Sequence, residues 1–422
     1  MIDRRLPRLT RAVGLSGLTL AGLALMSAAT AFQGMHDDRI EVELQLKGEP
    51  TTRIGRLRIK KGKARFTEAG RRRTIKLEDI VSLTELDPER PPTEAELAAA
   101  KADYDKKLEY HKPDDPSRQT RLAIWCREHG LEDLAKRHLA AAVKLDPDHR
   151  DARRLRAEVK VKGTWRPVAE VAKERWEGLD GAGFSALVKF GDWASAWRLP
   201  EGRKALDKTL KINFRDQDSL RAMKRYTDHY RCETKCRPPF AGLWRASIDK
   251  SKHHRKKAYA VYALDLLKVG RDMKRHDGKG RKVEDWFSWD EPVYAVADGI
   301  VVEVRNQLPD LPINRGGGRP EKHNGVSIRH KNAEHSFYVH LRKGSIPVKV
   351  GDKVKRGQLI GRVGNSGGTN VPHLHFAMAI PSALSVPMWW EDYKLYVEGV
   401  EVPVKLGKPR EGQVFVGPPG LE

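Results

Sequence analysis

The segment Val371-Pro-His-Leu-His-Phe376 sets two histidines two residues apart inside an apolar run. In a strand, residues i and i+2 share a face. His373 and His375 then point one way, and Leu374 and Phe376 point the other, into a core. Two imidazoles on one face of a rigid strand can hold a metal together, or one can hold it while the other moves protons. The competing reading is two polar residues on the solvated face of an edge strand. Further polar residues interrupt apolar runs elsewhere. Asp265 lies near the end of Ala258-Tyr-Ala-Val-Tyr-Ala-Leu-Asp-Leu-Leu267, and His340 lies within Phe337-Tyr-Val-His-Leu341. A buried carboxylate without a partner is costly, so Asp265 calls for a cation or a set of donors. A turn cap or an ion pair to one of the many Lys and Arg residues is the alternative. His253 and His254 precede the Asp265 run. Two histidines and one carboxylate form the donor set of a catalytic zinc site, whose fourth position is left to water.

The elements that must position these residues divide the chain. Residues 38–90 read as a small β module, because Ile40-Glu-Val-Glu-Leu-Gln-Leu46 alternates apolar and polar. Pro88, Pro91 and Pro92 mark a break. Residues 93–165 read as helical, opened by Thr93 with Glu96 three residues on, the spacing of a capping box. Gly130 suits a helix end and Pro147 a stop. The two runs around Gly130 resemble a tetratricopeptide-type hairpin. With only one or two copies it is too short to stand as a solenoid, and it reads as a spacer or a platform for a protein partner. Residues 166–240 read as helix and linker. From about 255 the texture changes to strands with glycine turns, including Pro292 to Gly299, Ile300 to Val304, Gly325 to His330 and Ser336 to Leu341. Residues 401–422 read as a tail. The fold class expected is multidomain α+β, with an antiparallel β domain over 241–400.

Charge and address narrow the function. The 422 residues carry 80 Lys and Arg against 57 Asp and Glu, a net charge of +23. That surplus suits a polyanionic neighbour: nucleic acid, anionic lipid or an acidic wall polymer. Arg4, Arg5, Arg8 and Arg11 precede an uncharged run from Ala12 to Phe32 that contains Ala-x-Ala spacing at its end. This resembles a secretory signal over 1–31, with an uncleaved anchor as the rival. Either places the body of the chain outside the cytoplasm, in the periplasm or cell envelope, and removes nucleic acid as a partner. The three cysteines exclude a disulfide-dense scaffold. Cys232 and Cys236 are able to pair after export, and Cys126 reads as a buried apolar residue.

The motifs from about 253 to 380 resemble the M23 family of zinc metallopeptidases, the lysostaphin and LytM type. The resemblance is carried by Tyr262-Ala-Leu-Asp265, Pro292-Val-Tyr-Ala-Val-Ala-Asp-Gly299, Asn324-Gly-Val-Ser-Ile-Arg-His330, Tyr338-Val-His-Leu341, Val350-Gly-Asp-Lys-Val-Lys-Arg-Gly-Gln358, Gly364-Asn-Ser-Gly367 and Pro372-His-Leu-His-Phe376. It implies an antiparallel β peptidase domain, a bound Zn2+ and hydrolysis of peptides in bacterial peptidoglycan. It further implies His254, Asp265 and His375 as metal ligands and His340 and His373 as the catalytic pair. The usual His-x-Gly-x-Asp is absent. His253 therefore competes for the first ligand position, and His276 with Asp285 forms a competing pair. Asn365 and Ser366 read as a plain turn. A catalytically inactive M23-like module that binds cell wall or a partner protein is the second functional reading. A biotinyl- or lipoyl-type carrier is a poor third, since no hairpin-tip lysine motif lies between 255 and 400. Anionic envelope polymers are the further partner suggested by the charge.

Overall fold

The computed structural model describes residues 39–417 apart from 61, 69–70, 88–89, 214–215, 229, 248–259, 315–321 and 381–383. The signal expected over 1–31 lies outside the described residues. So do His253 and His254. No helix among the described residues is long and apolar enough to cross a membrane.

The chain forms two compact units, one containing Asp87–Pro167 and the other combining the described residues up to Leu86 with those from Val168 onward. The first unit holds α1 (Glu94–Leu108), α2 (Pro116–Glu128), α3 (Glu132–Leu145) and α4 (Arg150–Leu155). A hairpin of β6 (Glu158–Val161) and β7 (Thr164–Pro167) closes it. The capping box at the head of α1 forms as the spacing predicts: Glu96 N–H donates to Thr93 Oγ1 at 3.3 Å and Thr93 N–H donates to Glu96 Oε2 at 2.7 Å. Gly130, at φ +77°, takes the left-handed turn between α2 and α3. The two helices close over Ala123, Cys126, Ala135 and Leu139, all buried.

The second unit begins with β1 (Arg39–Leu46), β2 (Arg53–Lys60), β3 (Lys63–Glu68), β4 (Arg71–Ile75) and β5 (Ile80–Glu85). It resumes with α5 (Val168–Glu177), α6 (Phe184–Ser195), α7 (Pro200–Ile212) and α8 (Gln217–Thr227). Strands follow: β8 (Lys235–Cys236), β9 (Leu243–Ala246), β10 (Leu264–Lys268), β11 (Pro292–Tyr294), β12 (Gly299–Arg305), β13 (Gly325–Arg329) and β14 (His335–Val339). The last are β15 (Lys353–Val354), β16 (Leu359–Arg362), β17 (Leu374–Ile380), β18 (Leu384–Val386), β19 (Trp389–Val397), β20 (Val400–Gly407) and β21 (Val414–Val416). Hydrogen-bonded pairing runs without a break in the order β15, β12, β13, β14, β17, β10, β9, β21, β19, β20, β5, β1, β2, β3, β4. The pairs are antiparallel except β20 with β5.

Four expectations need correction. Residues 401–422, read as a tail, contribute β20 and β21. The alternation Val400, Val402, Val404 is a strand pattern, and Val402, Val404 and Phe415 are buried. The 38–90 module does not stand apart: β5 pairs with β20, and the Arg410 guanidinium meets the buried Glu85 carboxylate at 2.5 and 2.9 Å. The apolar run 258–267 yields a strand only from Leu264, because the chain turns at 260–262. Cys232 and Cys236 are free thiols, each directed at the Thr234 carbonyl, and no disulfide joins them.

The segment ahead of β8 is tied to the sheet by Glu334, whose side chain is fully buried. Its carboxylate accepts from Glu233 N–H at 2.8 Å, Thr234 N–H at 2.9 Å, Tyr230 Oη at 3.0 Å and the Cys232 thiol at 3.3 Å. Burial alone would raise its pKa, but these donors outweigh burial and hold it below the ordinary value. A depressed carboxylate stabilises the fold above its unfolded pKa, and that contribution is lost as pH falls through the folded value. Urea denaturation of Glu334→Gln is therefore expected to show the largest loss of stability relative to wild type near neutral pH. The gap narrows below about pH 4. A gap that stays constant through the acid range would overturn this account.

Candidate metal and catalytic centre

Strand register assembles the centre. Asp265 on β10 lies directly opposite His375 on β17, and His375 lies opposite Val339 on β14. Leu374 and Phe376 are fully buried, so the alternation turns His375 to the other face, as the spacing predicts. His375 Nδ1 is 2.8 Å from Asp265 Oδ1. His373 Nε2 reaches the same oxygen at 3.4 Å. His340 arrives one residue after β14, at φ +66°. This left-handed conformation costs a non-glycine residue roughly 1–2 kcal/mol. Gly364 N–H to the His340 carbonyl (2.9 Å) and Leu341 N–H to the Asn324 carbonyl (3.2 Å) hold it. The His340 ring centroid is 4.7 Å from that of His373 and 5.9 Å from that of His375. His340, His373 and His375 each offer a ring nitrogen, all within 4.8 Å of one another.

The hydrogen bonds fix the tautomers. His340 Nδ1 faces the Ser366 carbonyl at 2.8 Å, and His373 Nδ1 faces the Val371 carbonyl at 2.8 Å. A carbonyl only accepts, so each Nδ1 carries hydrogen and each Nε2 is left for the centre. Burial and the neighbouring His373 and His375 press the His340 pKa well below the ordinary imidazole value. Burial works the same way on His373, but the Asp265 charge and hydrogen bond prevail and raise it. Burial opposes ionisation of Asp265, yet His373 and then His375 hold its carboxyl well below the usual carboxylate range.

The turn before β17 does more than the plain turn expected of it. Asn365 and Ser366 are both fully buried. Ser366 Oγ donates to the Leu341 carbonyl at 2.8 Å and accepts from Asn324 N–H at 3.0 Å. Asn365 Nδ2 donates to the Leu311 carbonyl at 2.6 Å, and Asn365 N–H reaches Asp310 Oδ1 at 2.7 Å. These bonds set the carbonyl on which the His340 ring depends. His323 was also missed, and its ring lies 6.1 Å from that of His340. Its only signal was a further histidine beside Asn324.

The competing pair sits elsewhere. The His276 ring packs on Trp286 at 4.8 Å, and the Asp285 carboxylate accepts from Arg281 N–H at 2.8 Å and Lys282 N–H at 3.1 Å. Neither joins the group of ring nitrogens around His375. His254 and His253 lie outside the described residues, so the third protein donor is not placed. The residues present fit a small divalent cation. The separation of 2.8 Å between Asp265 Oδ1 and His375 Nδ1 is of the size two ligand atoms adopt when bonds of ~2.0–2.2 Å meet at one ion.

Residues 285–385 match the profile of Peptidase family M23. The chain therefore carries an M23 peptidase-family domain with peptidoglycan endopeptidases among its homologues. It is 40% identical over 108 residues to the peptidoglycan DD-endopeptidase ShyA of Vibrio cholerae, covering 23% of this chain and 22% of that protein. It is 41% identical over 86 residues to the glycyl-glycine endopeptidase ALE-1 of Staphylococcus capitis, covering 20% of each. It is 38% identical over 92 residues to lysostaphin of Staphylococcus simulans, covering 22% of this chain and 16% of that protein. The chain thus spans about a fifth of the length of these relatives. Among solved structures, a zinc-containing peptidase of Vibrio cholerae aligns at 24% identity with a TM-score of 0.24, over 37% of this chain and 41% of that one.

The coupling between Asp265 and His373 is directly measurable. In metal-free protein, Asp265→Asn removes the charge that raises the His373 pKa, so NMR titration of the ring protons should show that pKa falling. An unchanged or rising value would separate the two residues.

Proposed function

We propose that the chain is an exported, zinc-dependent endopeptidase that hydrolyses peptide bonds of bacterial peptidoglycan. The observation that carries this reading is the contact of 2.8 Å between Asp265 Oδ1 and His375 Nδ1, with His340 and His373 beside it. Asp265 and His375 would hold the ion, and His254 is the further ligand we assign. When bound, zinc supplies Lewis acidity and lowers the pKa of a coordinated water to roughly 7.

His340 and His373 do the proton work. Each donates Nδ1–H to a backbone carbonyl, which fixes its ring and turns Nε2 to the reacting atoms. One takes a proton from the attacking water, and one returns a proton to the amine nitrogen as the C–N bond breaks. Imidazoles suit both halves of that cycle, since each ring can accept and return a proton at Nε2. An N–H at Nε2 also stabilises the oxyanion formed by attack on the carbonyl. His340 is nearly enclosed, at 8% exposure. The relatives' names supply the substrate class, and the net charge of +23 suits an acidic envelope. The helical unit is assigned as a spacer or protein-docking platform.

Metal analysis of the purified full chain tests the reading. Wild type should carry zinc, and His375→Ala should lose most of it along with hydrolysis of purified peptidoglycan. His254→Ala should also lose the metal, whereas His276→Ala should keep it. Equal zinc in wild type and His375→Ala would end the metallopeptidase assignment. Loss in His276→Ala alone would move the centre to His276 and Asp285. A second outcome separates proton transfer from metal binding: His340→Ala and His373→Ala should retain zinc while hydrolysis falls by about 100-fold or more.

A further inference from the structure

The strands farthest from the centre along the ribbon carry an unusual surface. In β2, β3 and β4, Leu57, Ala64, Phe66 and Ile75 point inward and are buried. The opposite face carries Arg56, Arg58, Lys60, Lys63, Arg65 and Arg72. Register sets Arg58 directly opposite Arg65, and Lys60 directly opposite Lys63. Like charges at directly opposed positions destabilise a sheet. Among the described residues, the carboxylates of the sheet do not relieve Lys60, Lys63 or Arg65. Glu49 and Glu68 pair with Arg53, and Glu49 also pairs with Arg73, whose side chain belongs to the inner face. Glu41 and Glu43 lie at the β1 border, where Glu41 faces Arg56 across the strands. Glu398 approaches only the hairpin tip at Gly62. Among the described residues, no ion pair engages Lys60, Lys63, Arg65 or Arg72, and all four are exposed.

Rest on a strand lattice gives this face its selectivity. Cations stand ~4.8 Å apart between strands and ~6.6–6.8 Å apart along one. Such a flat grid fits many weakly spaced anions on one polymer better than a single small ligand. The same ribbon that bears the grid continues through β5, β20, β19, β21 and β9 to β10, which carries Asp265. A polymer held on β2–β4 is therefore held on the framework of the hydrolytic centre.

We infer that the outer face of β2, β3 and β4 is a docking surface for the carboxylates of the peptidoglycan polymer, separate from the centre that cuts it. This rests on the proposed substrate. The framework shared with β10 favours the polymer being cleaved over a lipid surface, which would have no reason to be coupled to that strand.

Co-sedimentation of the full chain with purified insoluble peptidoglycan, in chelator so that nothing is cut, tests the inference. The double variants Lys60→Glu with Arg72→Glu, and Lys63→Glu with Arg65→Glu, should each lower retention by about tenfold at low salt. The second converts both opposed like pairs into opposite-charge pairs, so its melting temperature should be no lower than that of wild type. Amidation of the peptidoglycan carboxylates should abolish the difference between wild type and variants. Vesicles rich in phosphatidylglycerol should retain the wild type less well than peptidoglycan does. Hydrolysis of a short soluble wall peptide, with zinc restored, should be unchanged in both variants. Undiminished retention of the variants, wild-type retention on amidated peptidoglycan equal to that on untreated peptidoglycan, or preferential binding to vesicles would each overturn the docking surface. A wild type that sediments as described but cuts no peptide would overturn the hydrolase and leave the surface standing.

Discussion

The register between β10 and β17 is the constraint from which the centre follows. Leu264 faces Phe376 and Leu266 faces Leu374, and all four are buried. Each such side chain contributes about 1.5–3 kcal/mol when taken from water. A slip of one residue would turn all of one strand's apolar set outward and carry Asp265 into the core. The polar pair is therefore positioned by apolar neighbours. Asp265 and His375 meet because the residues between them have nowhere else to go. The desolvation of Asp265 is offset by two imidazoles on the same oxygen, which is why its charge survives at so enclosed a position.

A second device supplies His340. A strand alone would carry residue 340 along its own line, whereas the left-handed φ swings the chain as β14 ends. The cost is met by a lattice of polar groups from loops distant in sequence: the buried Asn324, Asn365 and Ser366 and the half-buried Asp310. Each member has partners, so the lattice behaves as a rigid insert rather than a liability. Its product is a carbonyl aimed at His340 Nδ1. The centre thus combines residues fixed by sheet register with one fixed by strained backbone, the kind of strain that collects at functional positions.

Much of this was legible in the order of residues, and the gaps have physical causes. The His373 and His375 alternation, the odd polarity of Asp265 and His340, and the capping box at Thr93 are local patterns, and local patterns survive into the fold. The pairing of β5 with β20 joins residues more than 300 positions apart, and no local signal announces it. Residues 401–416 did carry an alternating pattern, but their place at the end of the chain suggested a tail. Asn365 and Ser366 looked like turn residues because turns favour those types. Only the three-dimensional neighbours Asn324, Leu341 and His340 reveal that the turn is a buried clamp.

The two candidate carboxylates show how spacing and environment can disagree. Asp285 stands at the start of the matched family segment, while Asp265 lies upstream of it. Distance along the chain alone would favour Asp285. Its carboxylate, however, is engaged with the amides of Arg281 and Lys282 and closes its own short turn, with Trp286 buried beneath it. A carboxylate already accepting two backbone N–H groups caps a loop well, but it does not converge with imidazoles from other strands. Asp265 has the converse setting, opposite His375 in a buried antiparallel pair. On the proposed assignment of Asp265 as a ligand, the segment from Gly270 to Trp289 is an insertion between β10 and the strands that follow. An insertion there is tolerated because it joins two fixed strands at the surface, where added length costs little loop-closure entropy. What must be kept is the strand opposite His375, not its distance in sequence from the strand that follows.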